Sequence, residues 1–131
     1  MTDALHKILM IDDDELMLFA VKRFLEGTER FQVRTENKSA NARKAAREFK
    51  PDLILLDVVM PTYDGGDVAK FLADDPLTRN IPVLFLTSMV TADQVEKHEG
   101  TIAGHPFVAK PAGMKEILRR IEVMLAGKGK V

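Results

Sequence analysis

The residues best suited to chemistry in this chain are acids, hydroxyls and a lysine that each follow a short apolar run. Asp12, Asp13 and Asp14 follow the first run, and Asp57 follows a later one. The others follow the last two runs: Thr87, Ser88 and Lys110. A carboxylate can act as a nucleophile and form an aspartyl phosphate. A cation and a hydroxyl can then neutralise charge on the transferring oxygens, so these residue types suit phosphoryl transfer to an acid.

A metal ion is the expected companion of these acids. Carboxylates held together repel one another unless a cation neutralises them. Hard oxygen donors select Mg²⁺ or Ca²⁺, and a site with few carboxylates and room for water and phosphate favours Mg²⁺. The chain has no cysteine, and His6, His98 and His105 lack metal-ligand spacing, which argues against zinc.

The apolar runs that precede these residues alternate with longer segments of helical spacing. This alternation predicts an α/β fold with a parallel sheet. The predicted strands span residues 8–11, 31–35, 53–56, 83–86 and 107–109. In the second of them, Gln32 and Arg34 alternate with Phe31 and Val33. Such a pattern predicts an edge strand with one wet side.

Five helices are predicted, over residues 15–26, 40–49, 67–75, 92–98 and 114–125. Gly27 ends the first helix, Ser39 is expected to cap the second and Pro76 stops the third. The repeated strand–helix order predicts a single-domain, doubly wound (βα)5 sandwich. Ligands of such a sheet bind outside the carboxyl ends of its strands. The acids, hydroxyls and lysine are therefore expected to converge at one edge of the sheet.

Composition and charge limit the class of protein. The 131 residues, 46% hydrophobic and 30% charged, suit one domain, which we place at residues 5–126 with a short tail at 127–131. The net charge of −1 and the scattered basic residues predict no direct binding of nucleic acid. The lack of cysteine fits a reducing compartment, and the first apolar run is too short for a signal peptide or a membrane span. A cytoplasmic location is therefore expected.

Four stretches carry the acids, hydroxyls and lysine in a characteristic order. They run from Lys7 to Glu15, from Leu53 to Pro61 with Asp64-Gly65 beyond it, from Phe85 to Ser88, and from Phe107 to Pro111. Together they resemble the motifs of response-regulator receiver domains of the CheY-like superfamily, over nearly the whole chain. The resemblance implies a flavodoxin-like, five-stranded parallel sheet of order 2-1-3-4-5.

By this resemblance, Asp57 is the phosphoacceptor of a two-component system. A sensor histidine kinase or a histidine phosphotransfer protein is expected to phosphorylate it in a Mg²⁺-dependent reaction. Asp13, Asp57 and the backbone carbonyl of Val59 are expected to ligate Mg²⁺, and Asp12 is expected to act largely through water.

The resemblance also implies a conformational switch. Thr87 and Lys110 are expected to contact the phosphoryl oxygens, the Thr87 hydroxyl to move toward them, and the Phe107 ring to change rotamer. The Lys110–Pro111 peptide bond is expected to be cis. The output protein stays unknown, and a homodimer through the last helices and strand is left open.

Each feature has a plainer explanation when it is taken alone. Asp12 to Asp14 could merely cap the first helix, and Asp14 is expected to do only that. Asp57 could end a strand at a turn, Lys110 could be a surface charge and Phe107 could be core. The expected convergence of these residues favours the functional interpretation.

Other functions fit the sequence less well. A Mg²⁺-dependent phosphohydrolase that uses an aspartyl phosphate usually carries a second acid two residues after its nucleophile, where this chain has Val59. A flavin or nucleotide binder would need Gly, Ser or Thr after the first strand, where this chain has acids. A receiver used only for protein contacts would not need all of the site positions filled. The chain is therefore not expected to be an enzyme with a separate substrate.

Overall fold

The predicted strands form one sheet in the computed structural model, which describes residues 5–87, 101–102, 105–109 and 113–128. The strands are β1 (His6–Ile11), β2 (Phe31–Glu36), β3 (Leu53–Leu56), β4 (Val83–Thr87), β5 (Thr101–Ile102) and β6 (His105–Ala109). Their order is β2-β1-β3-β4-β6-β5. The five longer strands pair in parallel, in the order implied by the resemblance. The predicted parallel order is confirmed.

The short strand β5 was not predicted. Its two residues pair antiparallel with β6 at the edge of the sheet. A strand of this length is too short to leave a periodic apolar signal in the sequence.

The central strands are apolar because both of their faces are covered. Ile8 and Met10 of β1 belong to one buried cluster, and Leu9 and Ile11 belong to the other. All four residues of β3 are buried. Continuous apolar runs of this kind are typical of parallel strands with helices on both sides.

The edge position predicted for β2 is confirmed. Phe31 and Val33 are buried, whereas Gln32 between them is exposed. Among the described strands, β2 pairs with β1 alone, along the whole length of both strands. Its alternating pattern therefore reflects one covered face and one wet face.

Helices cover both faces of the sheet. The described helices are α1 (Glu15–Gly27), α2 (Ala42–Phe49), α3 (Gly65–Ala73) and α4 (Met114–Lys128). α1 and α4 pack on the cluster that contains Ile8, through Leu18, Val21, Leu25, Ile117 and Ile121. α2 and α3 pack on the cluster that contains Leu9, through Ala42, Ala45, Ala46, Val68, Ala69 and Leu72. The doubly wound arrangement is confirmed.

The predicted cap of the second helix is wrong. Ser39 opens a short 3₁₀ helix, Ser39–Asn41, and α2 begins only at Ala42. Asn41 precedes α2 and makes no capping hydrogen bond through its side chain. The Ser39 hydroxyl instead donates to the carbonyl of Pro61, in the loop after β3. The hydroxyl therefore bonds to a residue that is far away in the sequence instead of capping the helix, and the local pattern could not indicate this partner.

The third helix begins earlier than predicted. Asp64 caps it: its carboxylate accepts from the Asp67 N–H at 2.8 Å, and the Asp67 carboxylate accepts from the Asp64 N–H at 3.1 Å. This reciprocal capping box places the helix start at Gly65 rather than at Asp67. The helix ends at Ala73, before Pro76.

Two sequence predictions concern the remaining elements. The helix predicted over residues 92–98 lies outside the described residues. None of the helices in the described part of the chain is long and apolar enough to cross a membrane.

Candidate functional site

Three acids meet where β1 and β3 end. One carboxylate oxygen from each of Asp12, Asp13 and Asp57 lies within 4.8 Å of the others. Asp12 is 1% exposed and Asp57 is 7% exposed, whereas Asp13 is open to solvent. The structure therefore shows the predicted convergence of these acids, with two buried carboxylates and one exposed carboxylate.

Backbone pairing places Asp12 and Asp57 side by side. The Asp12 N–H donates to the Glu36 carbonyl at 3.1 Å and extends the β1–β2 pairing by one residue. The Asp57 N–H donates to the Ile11 carbonyl at 2.9 Å and does the same for β1 and β3. Asp12 continues β1, and Asp57 continues β3, which pairs in parallel with β1. Both acids therefore emerge at the same edge of the sheet.

Local hydrogen bonds orient the two buried carboxylates. Asp12 Oδ1 accepts from the Asp14 N–H at 2.9 Å, and Asp57 Oδ1 accepts from the Val58 N–H at 2.9 Å. Asp14 itself caps α1, since its carboxylate accepts from the N–H groups of Leu16 and Met17. The acid that was predicted only to cap a helix does so.

Gly65 is needed because the backbone of the acid-bearing strand passes very close to it. A Cβ at position 65 would lie 2.4 Å from the Asp57 carbonyl oxygen and 2.8 Å from the Val58 Cα. The Gly65 N–H also donates to the Val58 carbonyl at 2.7 Å. The first residue of α3 therefore fixes the position of the backbone at Asp57. Sequence reasoning noted Gly65 only as part of a motif and gave it no structural role.

The loop between β3 and α3 carries the predicted carbonyl ligand. Val59 lies in this loop, two residues after Asp57, and its side chain is 51% exposed. The neighbouring Val58 packs against the cluster under α2 and α3, and Met60 is buried. A half-buried residue on one side and a buried residue on the other anchor the segment that holds Val59.

The structure describes only part of the predicted phosphate-contacting set. Thr87 is the last residue of β4 and pairs with Ala109 of β6. Ser88, Lys110 and Pro111, and with them the Lys110–Pro111 bond, lie outside the described residues. The predicted contacts of Thr87 and Lys110 therefore stay predictions.

The predicted switch residue Phe107 is buried on the α2–α3 side of the sheet. It is 5% exposed and pairs with Phe85 of β4. His105, two residues earlier, meets the Phe85 ring edge-on with the ring centroids 5.9 Å apart. Burial lowers the pKa of His105, so this aromatic group is favoured in its neutral form.

The donor set of the acid cluster fits a hard divalent cation. All of its ligand atoms are carboxylate oxygens, and two of them come from buried side chains. Oxygen donors in this number leave coordination positions for water and phosphate, as Mg²⁺ prefers. Asp12, Asp13 and Asp57 are thus the residues able to hold such an ion.

Comparisons with known proteins agree with this arrangement. A family model described as the response regulator receiver domain matches residues 8–122. Protein PilH of Pseudomonas aeruginosa is 32% identical over 123 residues, which cover 92% of this chain and 98% of PilH. Response regulator PleD of Caulobacter vibrioides is 42% identical over 109 residues, which cover 80% of this chain but only 23% of PleD.

A solved structure extends the agreement to the fold. The chemotaxis protein CheY4 of Vibrio cholerae matches with a TM-score of 0.79 at 25% identity, covering 92% of this chain and 98% of that one. The matching family model, the parallel sheet order and the three acids at its carboxyl edge lead to one conclusion. This chain belongs to the response-regulator receiver domains of two-component signal transduction.

Proposed function

We propose that this receiver domain accepts a phosphoryl group on Asp57 in a Mg²⁺-dependent reaction. The observation that supports this most is the grouping of Asp12, Asp13 and Asp57 within 4.8 Å at the carboxyl edge of the sheet. Of these acids, Asp57 continues the central strand β3, and two hydrogen bonds fix its backbone and its carboxylate. A rigidly held carboxylate beside two others suits a nucleophile that works next to a cation.

The transfer makes one bond and breaks one. An Asp57 carboxylate oxygen attacks the phosphorus of a phosphohistidine or of acetyl phosphate. The bond from phosphorus to the histidine nitrogen, or to the acetate oxygen, breaks, and the leaving group departs with its electron pair. Burial of Asp57 limits the water that can compete with it as a nucleophile.

The remaining site residues take the roles that the family motif assigns. Asp13, Asp57 and the Val59 carbonyl would hold Mg²⁺, and Asp12 would act largely through water. The ion, when bound, neutralises charge on the phosphoryl oxygens. Thr87 and Lys110 would contact the same oxygens.

Phosphorylation then alters partner binding. The new group adds roughly two negative charges and three strong acceptors. In response, the Thr87 hydroxyl would move toward the phosphoryl oxygens and the Phe107 ring would change rotamer. Phe107 suits this role because it packs against Phe85 of β4, the strand that ends in Thr87. A small movement at the edge of the sheet can therefore change the packing under β6.

The proposed donor is a sensor histidine kinase or a histidine phosphotransfer protein. Leu16 and Phe19 of α1 support a protein donor, because these large apolar side chains are mostly exposed on the helix that follows Asp12 and Asp13. We also propose a cytoplasmic location and a functional unit that spans residues 5–126. A homodimer would form through the last helices and strand. Apolar Val59 stands where a hydrolase would carry its second acid, so turnover of a separate substrate is not proposed.

Beryllofluoride, a phosphoryl analogue, tests the proposal. With Mg²⁺ and beryllofluoride present, amide signals around residue 57 and at Phe107 should shift in the parent protein. Asp57→Asn removes the nucleophile and one metal ligand, so this variant should show no such shifts. Identical shifts in parent and variant would contradict the assignment of Asp57.

A further inference from the structure

The hydroxyl of Ser39 joins two segments that are far apart in the sequence. Its side chain is buried, with the residue only 5% exposed. The Oγ donates to the Pro61 carbonyl at 2.8 Å and accepts from the Tyr63 N–H at 3.2 Å. These bonds tie the 3₁₀ helix that precedes α2 to the loop that follows the phosphoacceptor strand.

The tied segment is a strained turn. The Tyr63 N–H also donates to the Pro61 carbonyl at 2.9 Å, two residues back, and the central residue Thr62 has φ of 72°. A turn with this hydrogen bond and a positive φ is the rare form of the γ-turn, and a β-branched residue adopts such a φ only at a cost. Strained backbone of this kind persists where its surroundings hold it in place. Ser39 contacts both ends of the turn.

The γ-turn lies at the tip of the loop that carries Val59. The loop is closed at its base, where the Gly65 N–H donates to the Val58 carbonyl at 2.7 Å. At the tip, the Tyr63 ring meets Phe71 edge-on at 5.0 Å, and the Ser39 bonds hold the backbone. Without the Ser39 hydroxyl, the base would stay closed while the tip could relax to an unstrained conformation.

We propose that Ser39 is a positioning residue for the metal site, acting through the γ-turn at residues 61–63 on the backbone of Val59. The proposal rests on the proposed function in one respect, which is that the Val59 carbonyl ligates Mg²⁺. The Ser39 hydroxyl bonds to the backbone of Pro61 and Tyr63 rather than to the acids. It selects the loop conformation in which the carbonyl is ready to bind, so that less ordering is needed when the ion arrives.

The variant Ser39→Ala tests this role, with Thr78→Val as its matched control. Thr78 is also buried, and its hydroxyl donates to the Leu72 carbonyl at 2.7 Å in the turn after α3. Each substitution removes one buried hydroxyl, but only Ser39 contacts the loop. Two quantities are measured: Mg²⁺ affinity by calorimetry, and hydrogen exchange of the Tyr63 amide in metal-free protein.

In Ser39→Ala, Mg²⁺ should bind about tenfold more weakly, as is common when the support of a ligand is removed. The Tyr63 amide should also exchange faster, since it has lost one acceptor. Thr78→Val should leave both quantities at the parent values. Mg²⁺ affinity that is equal in Ser39→Ala and Thr78→Val would overturn the proposal, as would an unchanged Tyr63 exchange rate. If the parent itself bound no Mg²⁺, the proposed function would fail instead, and the exchange rate would still decide whether Ser39 holds the turn.

Discussion

At the scale of single residues, burial separates the three acids of the site. Asp12 and Asp57 are enclosed between the strand ends, whereas Asp13 faces solvent. A buried carboxylate supports both the fold and the chemistry, so its loss affects both. Asp13 is the acid whose removal should report on metal binding alone.

The variant Asp13→Ala should therefore fold normally and bind Mg²⁺ at least tenfold more weakly, because one direct carboxylate ligand is gone. A Mg²⁺ titration followed by amide chemical shifts measures the affinity. Asp74→Ala serves as the control, since Asp74 is an exposed acid at the end of α3 and outside the acid cluster. Equal affinities in the two variants would reject Asp13 as a ligand.

Among the glycines that the structure describes, Gly65 has the least room for a side chain. Gly65→Ala would press its Cβ against the Asp57 carbonyl oxygen and the Val58 Cα, which are backbone atoms that cannot simply turn away. We expect a loss of about 1–3 kcal/mol in the free energy of unfolding, the usual cost of overpacking. Urea denaturation measures this loss. Gly27→Ala is the control, because nothing lies within 4 Å of an added Cβ there, and a similar loss in both variants would show that close contact is not the cause.

A further prediction concerns the lifetime of the aspartyl phosphate, which we expect to depend on the side chain of Val59. Val59 is half exposed and stands two residues after Asp57. Met89 stands two residues after Thr87 and lies outside the described residues. By the resemblance to the family, these two positions flank the path of an attacking water. Apolar groups at both positions give an attacking water no hydrogen bond. Val59→Asn combined with Met89→Glu should speed loss of the phosphoryl group about tenfold, or about 1.4 kcal/mol in the barrier. Decay after removal of the donor, at constant Mg²⁺, is the measurement, and equal decay rates would refute the idea.

At the scale of elements, the turn between α3 and β4 depends on one acid. Asp75 Oδ1 accepts from the Leu77 N–H at 2.9 Å, and its Oδ2 accepts from Arg47 Nε of α2 at 2.6 Å. The Leu77 N–H and the Arg47 guanidinium hold the pKa of Asp75 below its usual value. Because both bonds favour the charged carboxylate, Asp75 joins α2 to this turn more strongly when it is ionised.

The stability of this junction should depend on pH. A carboxyl whose pKa is lower in the folded state stabilises the fold above its unfolded pKa, and this contribution is lost as the pH falls through the folded pKa. Asp75→Asn should lower the melting temperature by a few degrees at neutral pH. The gap in melting temperature between parent and variant should narrow as the pH falls below about 3.9, the ordinary pKa of an aspartate. Melting curves across this range check the expectation, with Asp74→Asn as the control on the neighbouring exposed acid; a gap that does not change with pH would contradict it.

At the scale of the whole molecule, the sequence predicted what depends on long patterns. Strands buried on both faces produced runs such as 8–11 and 53–56, and the alternation in β2 indicated the edge. The acids followed these runs directly, so their convergence could also be predicted. The sheet order came from the resemblance to a family, since no local pattern specifies which strands become neighbours.

What the sequence did not predict depends on contacts between distant segments. The position of Ser39 before a helical pattern predicted a helix cap. Its actual partner, the Pro61 carbonyl, is 22 residues away in the sequence, so no local pattern indicated it. The need for a glycine at position 65 arises from the backbone at Asp57, a neighbour only in the folded chain. The strand Thr101–Ile102 forms by pairing with β6 rather than by any periodicity of its own.

The claim on which the account depends is that the phosphoryl group is attached to Asp57. The parent protein is incubated with acetyl phosphate and Mg²⁺ and then treated with borohydride, which reduces an aspartyl phosphate to the corresponding alcohol, and the peptides are mapped by mass spectrometry. We expect reduction at residue 57 and at neither Asp12 nor Asp13, and we expect it to disappear when Mg²⁺ is chelated. Reduction at one of the other two acids, or no reduction in folded protein that binds Mg²⁺, would contradict it.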